Sequence, residues 1–200
     1  GAADTAVGRL EGSTSLGLQA QAARAAVADA GLSLGDIDGV LCAYSFTAPH
    51  LMLSSVVSEF LGIAPTYSVA VQAGGATACA QVMHAAALVA AGICRHVLCI
   101  CGDNRLTGMS RDQAVAALAD VGHAEFERPY GIGVPPAYAL VAQRYMHDFG
   151  VTGEHLAGVA VAHRTHAMRN PKAQMRTPIT LEDVARSKPI ATPLRLLGGL

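Results

Sequence analysis

The sequence predicts an α/β fold built in layers, with a mostly parallel sheet covered by helices. Three observations predict it. Short apolar, β-branched runs alternate with longer alanine-rich runs of helical character along the chain. The stretch Tyr67-Ser68-Val69-Ala70-Val71-Gln72-Ala73-Gly74-Gly75-Ala76-Thr77 sends a strand straight into a glycine pair, and an almost wholly apolar helix follows. Finally, 52% of the 200 residues are hydrophobic and only 14% are charged, enough apolar material for a substantial core.

Each element has its own signal. Ser13-Thr14-Ser15 offers caps for an alanine-rich helix over 16–30, which Gly31 stops. Residues 37–43 read as a buried strand, and 51–61 as a short helix ended by Gly62. The strand over 67–71, the helix over 76–91 and the strand over 96–101 make a βαβ crossover. Residues 105–134 then bring charges and glycines without a clean apolar period, so they read as a surface excursion, partly helical near 113–118. Pro135-Pro136 suits the start of a helix that runs to Phe149, before Gly150. A further helix over 153–169 stops at Asn170-Pro171, and Thr180 caps a short one holding Glu182 and Asp183.

Composition narrows the function. A formal net charge of −1, with no basic patch, argues against a nucleic-acid surface. The five cysteines, at 42, 79, 94, 99 and 101, form no CxxC pair. Cys99 and Cys101 alternate with Leu98 and Ile100, as buried strand residues would. The set reads as small core residues of a reducing compartment, with no disulfide framework and no zinc site. The most apolar stretch is broken by Gln81, His84, Arg95 and His96, so no membrane span or signal peptide is expected, and a cytoplasmic location is.

The glycine turn is the chemically suggestive feature. A helix N-terminus presents unpaired N–H groups and partial positive charge, and can hold an anion or an oxyanion. Glycine lets backbone approach a ligand closely. In the helix that follows, Thr77, Gln81 and His84 share one stripe, and the rest is apolar, which predicts a buried helix and a satisfied core histidine. Gly74-Gly75 lacks the spacing of a dinucleotide fingerprint and the lysine of a P-loop. His163 and His166 stand three apart on a helix, but no third metal ligand accompanies them, which favours a solvated face.

The order of these pieces resembles the N-terminal half of the thiolase superfamily, nearest its sterol-carrier-protein, or lipid-transfer, branch. The resemblance is carried by 25–42, by the turn at Gly74-Gly75, and by Cys101-Gly102-Asp103-Asn104. Residues 137–150 and the tail from Asn170-Pro171 to Leu197 continue it, so it covers nearly the whole chain. It implies a thiolase-like layered αβα fold, with 1–104 and 134–200 as the domain and 105–133 as a loop domain shaping an acyl-CoA tunnel. It also implies a homodimer through the strand Tyr67, Ser68, Val69, Ala70, Val71. In that loop domain, His123, Arg128 and Tyr130, beside Glu125 and Glu127, become candidates for contacting coenzyme A, with a solvated loop as the plainer reading.

Two departures matter. The family's nucleophilic cysteine falls at Gly75, and positions 73–78 contain no cysteine. Cys79 lies one turn into the helix, where burial is expected to silence it. The pocket floor therefore reads Gly74, Gly75, Ala76, Thr77. The second departure is length: the chain begins inside what resembles the first strand and ends near where a second half would start, so a partial polypeptide is expected. Without the cysteine an acyl-enzyme cannot form by the usual route. Cysteine-lacking members of the superfamily include steroid side-chain aldolases, which work with an OB-fold DUF35 partner. The expectation is thus an acyl-CoA enzyme acting by retro-aldol cleavage, with the thioester as substrate and no permanent cofactor. An acyltransferase and a non-catalytic acyl-CoA-binding subunit are the alternatives.

Overall fold

The structure, a computed structural model, describes residues 1–198. It divides into two compact units, Gly1–Ser110 and Arg111–Leu200.

The first unit is a three-layer α/β body. Helix α1 (Ser15–Asp29) starts where the Thr14 side chain accepts the Gly17 N–H at 3.0 Å. It buries Ser15, Gln19, Ala20, Ala23 and Val27 along one face. Strand β1 (Gly39–Ala43) is buried at every position. Helix α2 (Leu53–Leu61) ends on Gly62 at φ 72°, a left-handed cap that glycine supplies without strain. Strand β2 (Tyr67–Val71), helix α3 (Thr77–Ala90), strand β3 (Val97–Ile100) and the single-turn helix α4 (Arg105–Gly108) complete it. The sheet order is β2-β1-β3 and every pairing is parallel, with Ala43 opposite Val71 and Gly39 opposite Val97.

Central placement explains why β1 reads as an unbroken apolar run. Val40 and Cys42 face α1 and α2, where Ala23, Val27, Leu53, Val57 and Leu61 join Leu98 and Ile100 in one core. Leu41 faces the other way, into a smaller cluster with Leu88 of α3 and Cys94. Burying one such aliphatic side chain contributes about 1.5–3 kcal/mol.

The expected mostly parallel α/β sheet is present, with several corrections of detail. The strand expected over 37–43 starts at Gly39, because Ser33 and Asp36 close a capping box around a 3-10 turn at Leu34–Asp36. Strands β2 and β3 do not touch; β1 lies between them. Helix α3 is not buried all round: Val82, Met83 and Val89 are exposed, and the side facing the sheet carries Thr77, Gln81 and Leu88. The polar stripe is the inner one. Gln81 is satisfied there, its Nε2 donating to the Ile100 carbonyl at 3.3 Å and its Oε1 accepting from Cys101 Sγ at 3.2 Å. Cys79, Cys99 and Cys101 are exposed, against the expected burial, while Cys42 and Cys94 are buried.

The second unit holds α5 (Arg111–Ala119), a 3-10 turn at Arg128–Tyr130, α6 (Val134–Phe149), α7 (Gly153–Ala167) and α8 (Leu181–Arg186). Prolines sit in the first turn of α6, Gly150 closes it at φ 64°, and Thr180 with Asp183 forms the capping box of α8. An antiparallel pair, β4 (Pro189–Ala191) with β5 (Leu194–Arg195), ends the described chain and has no counterpart in the sequence reading. No helix among the described residues is long and apolar enough to cross a membrane.

Candidate functional site at the carboxyl edge of the sheet

In an open parallel α/β sheet, ligands bind outside the carboxyl ends of the strands. Here that edge of the first unit gathers the turn after β2, the loop after β1 and the segment after β3. Gly74–Ala76 forms a 3-10 turn that leads directly into α3. Gly74 is left-handed at φ 56°, so glycine is needed there. Thr77 stitches the turn: its hydroxyl donates to the Gly74 carbonyl at 2.7 Å and accepts the Ala73 N–H at 3.1 Å.

Gly75 is different. It is exposed, it lies outside the left-handed region, and a Cβ built on it meets nothing within 4 Å. Neither backbone strain nor a neighbouring atom excludes a side chain at Gly75, so the fold does not require glycine there. Ala76 is exposed beside it, and Thr77 is buried. His84, further along α3, is half-buried with its Nε2 3.2 Å from the Tyr67 hydroxyl and its ring edge-on to that tyrosine, the satisfied histidine expected.

Three thiols at the sheet, Cys42, Cys99 and Cys101, are pushed above the usual thiol range. Burial pushes Cys42 up to about 11, with the neighbouring Cys101 adding to the shift. Crowding by surrounding atoms also raises Cys99 and Cys101, although both side chains reach the surface. A raised thiol holds little thiolate at neutral pH.

At the same edge of the sheet, after β1 and β3, lies a polar network that was not foreseen as a unit. Asp103 is raised by burial, but hydrogen bonds from the Thr47 hydroxyl and from the Phe46, Asn104 and Thr47 amides outweigh this and hold its carboxyl below the usual range. Ser45 Oγ donates to Asp103 at 3.1 Å and stands 3.0 Å from Ser15 Oγ. Gln19 Nε2 donates to the Gly102 carbonyl at 2.8 Å, and Asn104 Nδ2 to the Ser13 carbonyl at 2.7 Å. The only sequence signal was Asp103-Asn104 directly after a strand.

The other candidates sit in the second unit. Arg128 pairs with Asp120 at 2.6 Å, His123 stacks on Phe126 at 4.8 Å, and the His123 amide donates to Glu127 Oε2 at 2.6 Å. Tyr130 is 87% exposed. Glu125 closes the same small loop, its amide donating to His123 Nδ1 at 3.3 Å. His163 and His166 are both exposed, and no metal-holding cluster of His, Cys, Asp or Glu occurs among the described residues. A cavity lined by Leu156, Leu181, Val184, Leu194 and Arg195 contains none of the candidate residues.

Comparison with known proteins agrees with this architecture. Residues 1–190 match the family described as thiolase, N-terminal domain. The chain belongs to the thiolase family. Among its relatives is the 17-hydroxy-3-oxo-4-pregnene-20-carboxyl-CoA lyase of Mycobacterium tuberculosis, 38% identical over 93% of this chain and 49% of that protein. A steroid side-chain-cleaving aldolase of Thermomonospora curvata is 36% identical, again over 93% of this chain and 49% of that one. The structure of an Ltp2-ChsH2(DUF35) aldolase superposes with a TM-score of 0.82 at 37% identity, covering 98% of this chain and 50% of that one. The chain spans about half the length of the curated relatives it matches.

Proposed function

We propose that this chain is the N-terminal part of a thiolase-fold lyase that cleaves a carbon–carbon bond in a lipid or steroid acyl-CoA thioester. The observation that carries the reading is Gly75, an open position at a helix N-terminus; the resemblance read from the sequence puts the family's cysteine at this position. Retro-aldol cleavage needs no covalent acyl-enzyme. A base takes the proton from the β-hydroxyl, the Cα–Cβ bond breaks as a carbonyl forms at Cβ, and the electron pair passes into the thioester enolate, which is then protonated at Cα. Backbone N–H groups at the start of α3 favour that enolate oxygen. The names of the relatives above support the same reading.

In this reading Gly74, Gly75, Ala76 and Thr77 form the pocket floor, and the base comes from elsewhere in the full protein. Segment 105–133 serves as the loop domain, and Arg128, Tyr130 and His123 contact the coenzyme A moiety. Arg128 can exchange Asp120 for a phosphate at small cost, because an exposed ion pair contributes about 0–1 kcal/mol. A homodimer forms through β2, which is an edge strand with an unpaired side. A DUF35 protein is the expected partner, in keeping with the name of the aldolase structure. Free cysteines fit a reducing compartment, the cytoplasm.

The acyltransferase reading keeps one specific support. Cys79 is exposed after all, and an acetyl-CoA acetyltransferase of Methanothermobacter thermautotrophicus is 29% identical over 88% of this chain. Full-length protein assayed for thiolysis and for retro-aldol cleavage, with and without the DUF35 partner, decides between them. The lyase reading expects cleavage that survives Cys79→Ser. Thiolysis lost in that variant establishes the transferase, and binding without turnover establishes a non-catalytic subunit.

A further inference from the structure

We infer that Asp103 is a positioning residue for the thioester site, mooring residues 44–48 as the wall beside the Gly74-Gly75 turn. The inference rests on the lyase reading only in placing the thioester at that turn.

The register sets the neighbourhood. Ala43 lies opposite Val71, so Tyr44 and Gln72 leave the sheet side by side on adjacent strands. The loop after β1 has no regular structure of its own and needs acceptors for its amides. Asp103 supplies them from the far side of β1. Its carboxylate accepts the Phe46 amide at 2.8 Å, the Thr47 amide at 3.3 Å, the Thr47 hydroxyl at 2.5 Å and the Ser45 hydroxyl at 3.1 Å. Ser45 Oγ in turn accepts the Ala48 amide at 3.0 Å. The held loop presents Tyr44 and Phe46, packed edge to face at 5.0 Å, with the Arg105 guanidinium 5.4 Å from the Phe46 ring.

The molecule contains its own control. At the opposite end of β1, Asp38 accepts the Arg95 amide at 2.8 Å and the His96 amide at 2.8 Å. It likewise ties β1 to the entry of β3, but at the amino edge, away from the turn. Loss of either carboxylate removes amide acceptors between the same two strands. Only loss of Asp103 frees a wall of the site.

The test compares Asp103→Asn with Asp38→Asn in the full-length protein with its partner. It reads cleavage of a β-hydroxyacyl-CoA thioester per folded molecule and hydrogen exchange at 44–48 and 72–77. A misplaced wall costs about 10²-fold in turnover, so Asp103→Asn is expected to lower kcat by that order, whereas Asp38→Asn stays within about twofold. Exchange accelerates at 44–48 and 72–77 in the first variant, and only near 94–97 in the second. Where Asp103→Asn does not fold, Thr47→Val removes one of the mooring bonds and shows the same pattern in weaker form. Equal turnover in the two variants, or unchanged exchange at 72–77, overturns the inference. If the wild type cleaves no thioester, the lyase reading falls, and the exchange at 72–77 alone decides the positioning role.

Discussion

Two adjacent glycines differ in whether the backbone requires glycine. At Gly74, φ is 56°, a region that costs an L-residue about 1–2 kcal/mol, so Gly74→Ala is expected to destabilise by that amount in urea unfolding. At Gly75 nothing within 4 Å opposes a side chain. Gly75→Ala is therefore expected to be neutral or to stabilise by about 0.4–1 kcal/mol, by restricting the unfolded chain. Gly75→Cys should fold and be alkylated without acquiring thiolysis, since a placed base is also required. Asp103 gives a pH prediction with a definite sign. Its folded pKa lies below its unfolded value, so its contribution is complete above about pH 4 and disappears as pH falls through the folded pKa. The stability gap between wild type and Asp103→Asn should be constant from pH 8 to about 5 and narrow below 4. The position of Gly75 was legible in the sequence, because strand, glycine pair and apolar helix are local signals. The role of Asp103 was not, because its partners lie 56–58 residues away.

At the level of elements, β2 was legible at its limits, 67–71, and the ends of α2 and α6 were fixed by Gly62 and Gly150 in left-handed caps. What the sequence left open was the direction in which α3 faces, because a helix expected to be buried gives no inner and outer side. Here Gln81 is 1% exposed and bonded to β3, while Met83 is 74% exposed. Periodicity identifies two faces, and the partners available to Gln81 decide which one turns inward. The β4–β5 pair escaped notice because strands of three and two residues carry no periodicity. These observations rank mutations. Leu41→Ala, at a fully buried position in the central strand, is expected to cost about 2–5 kcal/mol in this stretch. Gln81→Ala leaves Cys101 and the Ile100 carbonyl without their partner and should cost about 1–3 kcal/mol. Met83→Gln should stay within about 0.5 kcal/mol. Thermal or urea unfolding of the three variants checks the order.

At the level of the whole molecule, the edge position of β2 yields the remaining prediction. Ser68 and Ala70 are exposed on a strand paired on one side alone. Ser68→Lys with Ala70→Lys blunts that edge and should turn a dimer into a monomer in light scattering, with little loss of stability. A wild-type monomer at micromolar concentration would remove the dimer from the reading. The sheet order carries a further consequence, for synthesis. β1 occupies the centre, and among the described residues both strands that pair with it are synthesised after it. At about 5–20 residues per second, the gap from Ala43 to Tyr67 leaves a wholly apolar segment without a partner for about 1–5 s. During that interval the nascent chain is a client for a holding chaperone. Slowing translation between β1 and β2 should therefore lower the soluble yield, whereas slowing it after β3 should not.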